Sequence, residues 1–195
     1  MRRAAVYDFD GTVTSSDSLI RLLKGFGMCR YLGAMLCMFP RLLMMKAGLM
    51  DPGSVKERLF SRYFRGMPAD IFCEVCDNFA RRNPDIIRPA ALESIQAHIA
   101  KGDRVIILSA SAAEWIRPFF PGMPIEYVCT GLEVANGRLT GRFSTPNCKG
   151  RRKVERLSAM LPDRGEWHVT AYGDSPSDRP VLGYADESHY KPFRK

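Results

Sequence analysis

Ala4-Ala5-Val6-Tyr7-Asp8-Phe9-Asp10-Gly11-Thr12-Val13-Thr14 is the stretch on which the fold turns. Its first four residues form an apolar run, which predicts a buried strand. Two carboxylates, Asp8 and Asp10, then leave the strand end, followed by a glycine and the hydroxyls of Thr12 and Thr14. One carboxylate can attack a phosphorus atom and help to hold a metal, while the other moves a proton to and from the leaving oxygen. Gly11 lets the chain turn sharply beneath a ligand. A plain N-terminal strand ending in a solvated acidic turn would carry the same residues, so the rest of the chain has to discriminate.

Working outward, Arg104-Val105-Ile106-Ile107-Leu108 is a continuous apolar run of the kind found in parallel sheets covered on both faces. Helices are expected over residues 89–101, closed by Gly102, over 112–120, closed by Pro121, and over 153–161, closed by Pro162. Residues 125–129 and 167–172 read as further strands. Asn136-Gly137, flanked by alternating apolar residues, predicts a hairpin within 132–143. This alternation of strands and helices points to an α/β fold with crossover connections.

Residues 15–87 break the rhythm. They hold no convincing strand, and Leu19, Leu22, Leu23 and Phe26, then Val55, Leu59, Tyr63 and Phe64, keep helical spacing. A helical module is therefore expected between the first strand and the rest, ending near the charged, Pro-containing breaker Arg81-Arg82-Asn83-Pro84. The expected organisation is a core of residues 1–14 and 88–195 with a helical cap of residues 15–87.

At 195 residues and 46% hydrophobic composition, the chain suits one globular domain, or a core domain with an insertion. A net charge of +8 favours anionic partners such as phosphate esters, acidic lipid surfaces or nucleic acid, although a solvated basic face has the same composition. No nucleic-acid motif is recognisable, and the acidic pairs would repel a phosphodiester backbone, so nucleic acid is not an expected partner. Of the six cysteines only Cys73 and Cys76 have Cys-x-x-Cys spacing, without a second pair, so reduced thiols on a helix are expected. Reduced thiols fit a cytoplasmic protein. No signal peptide is visible, since the apolar run after Met1-Arg2-Arg3 is only four residues long. The longest uncharged apolar run, Tyr31 to Pro40, is about half of what a membrane span requires.

Three further pieces carry chemistry. Ser109 ends an apolar strand in Leu108-Ser109-Ala110-Ser111, where a hydroxyl can donate to a phosphate oxygen; Ser111 is equally suited to cap the following helix. Lys149-Gly150-Arg151-Arg152-Lys153 opens a helix, and a lysine there can offset charge on a transferring phosphoryl group. Tyr172-Gly173-Asp174-Ser175-Pro176-Ser177-Asp178 follows a strand and offers two acids, hard oxygen ligands suited to Mg²⁺.

DFDGT at 8–12, Ser109 after an apolar strand, a downstream lysine and GDSPSD at 173–178 together resemble the haloacid dehalogenase superfamily of phosphohydrolases over essentially the whole chain. The resemblance implies a Rossmann-like parallel sheet with helices on both faces and an inserted helical, C1-type cap. It implies Asp8 as nucleophile, forming an aspartyl-phosphate, and Asp10 as general acid and then base. It implies Mg²⁺ held by the carboxylates of Asp8 and Asp174 and the backbone carbonyl of Asp10. Asp178 would support that site, and Ser109, Lys153 and Thr12 would hold phosphoryl oxygens. Lys149 is the alternative lysine; Lys153 is preferred because Val154 and Leu157 follow it as a buried helical face.

A helical insertion directly after the first motif resembles the branch that includes phosphoserine phosphatases. Asp17 falls where those enzymes place a substrate-reading glutamate, but its shorter side chain departs from the pattern, as does Ala110-Ser111-Ala112-Ala113 after Ser109. A closer likeness is to bacterial subfamily IB hydrolases, some of which resemble phosphatidylglycerophosphatase C. It rests on Lys56-Glu57-Arg58-Leu59, Leu139-Thr140-Gly141, Asn147-Cys148 before Gly150, and Tyr190-Lys191-Pro192-Phe193. Two substrate classes follow, a lipid phosphate and a small soluble phosphate ester. Phosphoryl transfer to another acceptor uses the same residues, and a non-catalytic basic binding module is the reading outside enzymology. In the cap, Leu42, Leu43, Met44, Met45, Leu49 and Met50 surround Lys46, with Arg30 and Arg41 nearby. Such a helix can lie in a membrane interface, which would give peripheral contact with an acidic inner membrane face. A cap core packed on itself is the plainer expectation for Met and Leu.

Overall fold

The computed structural model describes residues 1–194, so Lys195, the last residue of the expected core, lies outside the described residues. The elements run β1 (Arg2–Tyr7), α1 (Ser18–Lys24), α2 (Met28–Lys46), α3 (Pro52–Phe64), α4 (Ala69–Arg82), α5 (Pro89–Ala100), β2 (Arg104–Ser109), α6 (Ala113–Ile116) and β3 (Ile125–Cys129). They continue as β4 (Leu132–Ala135), β5 (Arg138–Phe143), α7 (Arg151–Met160), β6 (Trp167–Gly173), α8 (Arg179–Tyr184) and β7 (Glu187–Tyr190). A five-stranded parallel sheet has the order β3-β2-β1-β6-β7, with β1 at its centre. This is the expected α/β fold.

The period-two alternation of a strand divides the core into two layers. Ala5, Tyr7, Val105 and Ile107 point to one face, where Ala91 and Ile95 of α5 cover them. Ala4, Val6, Ile106 and Leu108 point to the other, against Leu157 of α7 and Val181 of α8. Ile106 and Ile107 are fully buried, each worth roughly 1.5–3 kcal/mol relative to exposure. The register pairs Tyr7 with Ile107 and with Tyr172, so the chain leaves β1, β2 and β6 at nearly one level. Ligands of such sheets bind beyond the carboxyl ends of the strands, beside the strand where the order reverses.

Helices α1–α4 fill the segment between β1 and α5. A bridge between Thr14 and Ile87, with Arg88 N–H donating to the Val13 carbonyl at 2.9 Å, closes the base of this insertion. Asp17 caps α1 by accepting from Ile20 N–H at 2.9 Å, and Asp51 caps α3 by accepting from Ser54 N–H at 2.9 Å, ahead of Pro52 in its first turn. Phe60 of α3 packs against Phe64, Phe72, Trp115 and Phe143, tying the insertion to α6 and to the β4–β5 hairpin.

Several local expectations change. The helix expected over 112–120 is one α-helical turn, α6, followed by a 3₁₀ turn over Arg117–Phe119, because Pro118 has no N–H for the helical ladder. Ser111 is not a helix cap; Ala112 holds that position without a side-chain bond. Helix α7 starts at Arg151, after Gly150 at φ +62°, so Lys153 lies in its first turn. The apolar run 31–40 is part of a longer element: α2 continues through Arg30, Pro40 and Arg41 for 19 residues, with mean hydropathy 1.2, long and apolar enough by length and composition to cross a membrane. Only Ala34 and Met38 of α2 are buried, while Leu32, Leu36, Phe39 and Leu43 are exposed. The expected self-packed core is therefore met on the inner face of α2 and not on the outer one.

Candidate active site

Asp8 is fixed where β1 ends: its N–H donates to the Tyr172 carbonyl of β6 at 2.9 Å. Residues Phe9–Val13 then make a wide turn closed by Thr14 N–H to the Phe9 carbonyl at 3.0 Å. Gly11 sits at φ +87°, and a Cβ there would stand 2.6 Å from Asp174 Oδ2, so the turn requires glycine both for its backbone and for the close approach of the acid. The turn aims Asp10 back at the insertion. Its Oδ1 accepts from Ser18 N–H at 2.7 Å, and its Oδ2 from Ser111 Oγ at 2.5 Å.

Lys153 rises from the first turn of α7 into the same space and is 2% exposed. Its Nζ donates to Asp8 Oδ1 at 2.5 Å and to Asp178 Oδ1 at 2.6 Å. The other oxygen of Asp178 accepts from Ser175 N–H at 3.0 Å, Ser175 Oγ at 2.7 Å and Asp174 N–H at 3.3 Å. Asp178 thus holds both the loop that carries Asp174 and the ammonium of Lys153. Thr12 Oγ lies 3.3 Å from Asp8 Oδ2 and 3.4 Å from Asp174 Oδ1, so its hydroxyl is committed to the carboxylates. Ser109 is buried at the end of β2, where its Oγ accepts from Ser111 N–H at 3.0 Å.

These charges shape one another. Burial pushes the Asp8 carboxyl up to about 7, opposed by Lys153 and reinforced by Asp178 and Asp10. Burial alone would lower Lys153, but Asp8 and Asp178 outweigh it and hold the ammonium above its ordinary range. Burial likewise works against ionised Asp178, yet Lys153 and the Ser175 donors keep it below the usual carboxylate range. Asp17 is raised by burial and by the neighbouring Asp10.

Asp8, Asp174 and Asp178 each offer a carboxylate oxygen, and the three oxygens lie within 4.8 Å of one another. With Asp10 they make four acids against the two cations that touch them, Lys153 and Arg194, whose guanidinium bonds Asp174. An all-oxygen site with an excess of negative charge fits a hard divalent cation. Asp8 and Asp174 have the more open oxygens, since those of Asp178 are already taken by four donors.

A cavity of about 210 Å³ opens onto this cluster. The core lines it with Asp8, Asp10, Ser109, Lys149 and Lys153, and the insertion with Asp17, Pro52 and Lys56. Lys153 is the lysine that reaches the carboxylates, and Lys149 stands at the wall. Asp17 caps α1 and also faces the cavity.

Three residues that sequence reasoning did not place in the site are Ser111, Lys56 and Arg194. Lys56 Nζ crosses from α3 to the Ala110 carbonyl at 3.1 Å and Ser111 Oγ at 3.4 Å. Its place after the cap of α3 carries no signal, because the contact spans 54 positions. Arg194 reaches Asp174 because the Tyr172–Phe193 stack, with centroids 5.5 Å apart, folds the segment after β7 over the sheet edge.

The family model for haloacid dehalogenase-like hydrolases matches residues 5–183. Protein CicA of Caulobacter vibrioides is 30% identical over 194 residues, covering 96% of this chain and 85% of that protein. Among solved structures, a protein of unknown function from Bordetella pertussis Tohama I superposes with TM-score 0.83 at 20% identity, covering 96% of this chain and 89% of that one. A phosphoserine phosphohydrolase-like protein from Francisella tularensis superposes with TM-score 0.67 at 17% identity, covering 96% and 86%. The structural likenesses establish the fold, and the family match over nearly the full chain, with the 30% identity to CicA, establishes descent: the chain belongs to the haloacid dehalogenase-like hydrolases.

Proposed function

We propose that the protein is a Mg²⁺-dependent phosphomonoester hydrolase that works through an aspartyl-phosphate on Asp8. The observation that carries this reading is the different tethering of the two carboxylates: Asp8 bonds Lys153, whereas Asp10 bonds Ser18 and Ser111 on the side where the insertion meets the core. Asp8 is then the nucleophile and Asp10 the proton carrier.

In the first step a carboxylate oxygen of Asp8 bonds to phosphorus while the bond from phosphorus to the alcohol oxygen breaks. Asp10 delivers its proton to that oxygen. In the second step Asp10 takes a proton from water, the hydroxide oxygen bonds to phosphorus, and Asp8 is released with inorganic phosphate. Lys153 and Ser109 hold phosphoryl oxygens, and Thr12 keeps Asp8 and Asp174 in place. Asp8, Asp174 and the Asp10 carbonyl would hold Mg²⁺, supported by Asp178; bound there, the ion offsets repulsion between an anionic nucleophile and an anionic phosphoryl group.

Residues 15–87 act in this reading as a cap over a core of 1–14 and 88–195, with Asp17 and Lys56 facing the leaving group. Lys56 and Lys149 at the cavity wall suit a substrate with negative charge beyond the transferred phosphoryl group. A lipid phosphate and a small soluble phosphate ester both meet that requirement. The test is phosphate release with Mg²⁺ from phosphoserine, sugar phosphates, nucleotides and micellar phosphatidylglycerophosphate, with D8N alongside. The expected result is release from at least one ester that D8N lowers to background. Equal release by D8N would overturn the assignment of the nucleophile, and transfer of the phosphoryl group to an added alcohol would make the enzyme a phosphotransferase.

A further inference from the structure

The outer face of α2 has no partner in the fold. Met28, Leu32, Leu36, Phe39 and Leu43 recur at intervals of three and four residues, which places them along one side of the helix. They are 53%, 58%, 77%, 56% and 52% exposed. The opposite side, through Ala34 and Met38, is buried. A helix apolar all round belongs in an interior or against lipid, and here only one side has an interior. Leu49, just beyond α2, is 74% exposed.

From Ser18 to Met50 the sequence has five basic residues, Arg21, Lys24, Arg30, Arg41 and Lys46, and not one Asp or Glu. Only Arg21 is in an ion pair among the described residues, with Asp85. Arg30 and Arg62 flank a groove beside the strip, floored by Gly33 and Ala34. We propose that this face docks the protein on an anionic lipid surface, with the apolar strip entering the headgroup boundary and Lys46, which borders the strip, meeting lipid phosphates.

The charge pattern selects this occupant. A second copy of the chain would bring a like-charged, acid-free face against this one. A bilayer rich in acidic lipid supplies both the apolar medium and the missing negative charge. The helix lies on the surface and does not span, because Ala34 and Met38 hold it against the rest of the insertion and its strip is one-sided. Ala47–Asp51 leads straight from α2 to Pro52 at the cavity wall, so the docked face lies next in the chain to the cavity. The docking face stands on α2 and its flanks and is independent of the hydrolytic reading.

Co-sedimentation with vesicles tests it without any assay of activity. The intact protein should bind vesicles rich in phosphatidylglycerol at about 100 mM salt and bind phosphatidylcholine vesicles far less. The double variant L36S/L43S should lower partitioning by about tenfold or more. K46Q should lower it by about fivefold on anionic vesicles only. All three side chains point outward, so unfolding midpoints should stay at the wild-type value and separate loss of docking from loss of fold. Absence of wild-type binding to anionic vesicles would overturn the proposal. So would undiminished binding by L36S/L43S, equal binding to neutral vesicles, or a dimer in lipid-free solution that L36S/L43S dissolves.

Discussion

Replacing Lys153 by methionine keeps most of the side-chain volume and removes one ammonium. That ammonium is the contact between Asp8 at 2.5 Å and Asp178 at 2.6 Å, and it is nearly inaccessible to water. Breaking a buried pair from one side costs about 3–5 kcal/mol, because the partner charge is left uncompensated. Here Asp178 loses its partner, while Asp8, which burial already holds at about 7, takes up a proton in part, so the middle of that range, about 4 kcal/mol, applies in metal-free protein near neutral pH. For a chain of this size each kcal/mol lowers the unfolding midpoint by about 2–4 °C, giving a fall of roughly 8–16 °C. The sign of the pH dependence follows. Without Lys153 the carboxyls titrate higher than in the wild type, so protonation on acidification removes the repulsion and the deficit narrows toward about pH 5. Thermal unfolding of both proteins in chelator, across pH, measures it. A Lys153→Met protein with the wild-type midpoint at neutral pH, or with a deficit that grows on acidification, would refute the placement of Lys153 as the shared partner of these acids.

Two further outcomes are expected. Asp8, pushed up to about 7 by burial, contributes stability that is fully present below its unfolded value of 3.8 and lost as pH rises through about 7. Stabilisation of the protein by Mg²⁺, read as the rise in unfolding midpoint on its addition, should therefore be larger near pH 8 than near pH 6, where the ion must displace a proton; a rise independent of pH would contradict the shift. Arg194→Ala removes the guanidinium from Asp174, so the Mg²⁺ concentration that half-saturates this rise should fall severalfold; an unchanged midpoint of the Mg²⁺ titration would show that the arginine does not compete for the site.

The exposed strip of α2 and the polar cavity place two opposite demands on one insertion. Its inner helices present Asp17 and Lys56 to a polar site, while its outer helix turns leucines to solvent. Exposed apolar strips of this kind mark interaction surfaces.

Local chemistry made the sheet legible in the sequence. Continuous apolar runs ending in Asp8, in Ser109 and before Asp174 reveal buried parallel strands whose polar residues emerge at their ends, and Asn136-Gly137 marks its hairpin by turn chemistry alone. The edge strand β7, Glu187-Ser188-His189-Tyr190, left no such trace because it is mostly exposed and lacks an apolar alternation. The order of the motifs along the chain likewise named Asp8, Asp10, Asp174, Asp178 and a lysine, and the buried helical face of Val154 and Leu157 favoured Lys153 over Lys149. Lys149 precedes the N-cap Gly150, whereas Lys153 lies in the first turn of α7, and that start turns it inward to Asp8. Ser111, Lys56 and Arg194 enter the site through contacts spanning 101, 54 and 20 positions, which no local pattern encodes. Helix α2 was legible as apolar and basic, but which of its faces is covered was not. Hydropathy is a property of each residue, whereas burial depends on whether another element happens to lie against it, and that is decided only when the chain closes on itself.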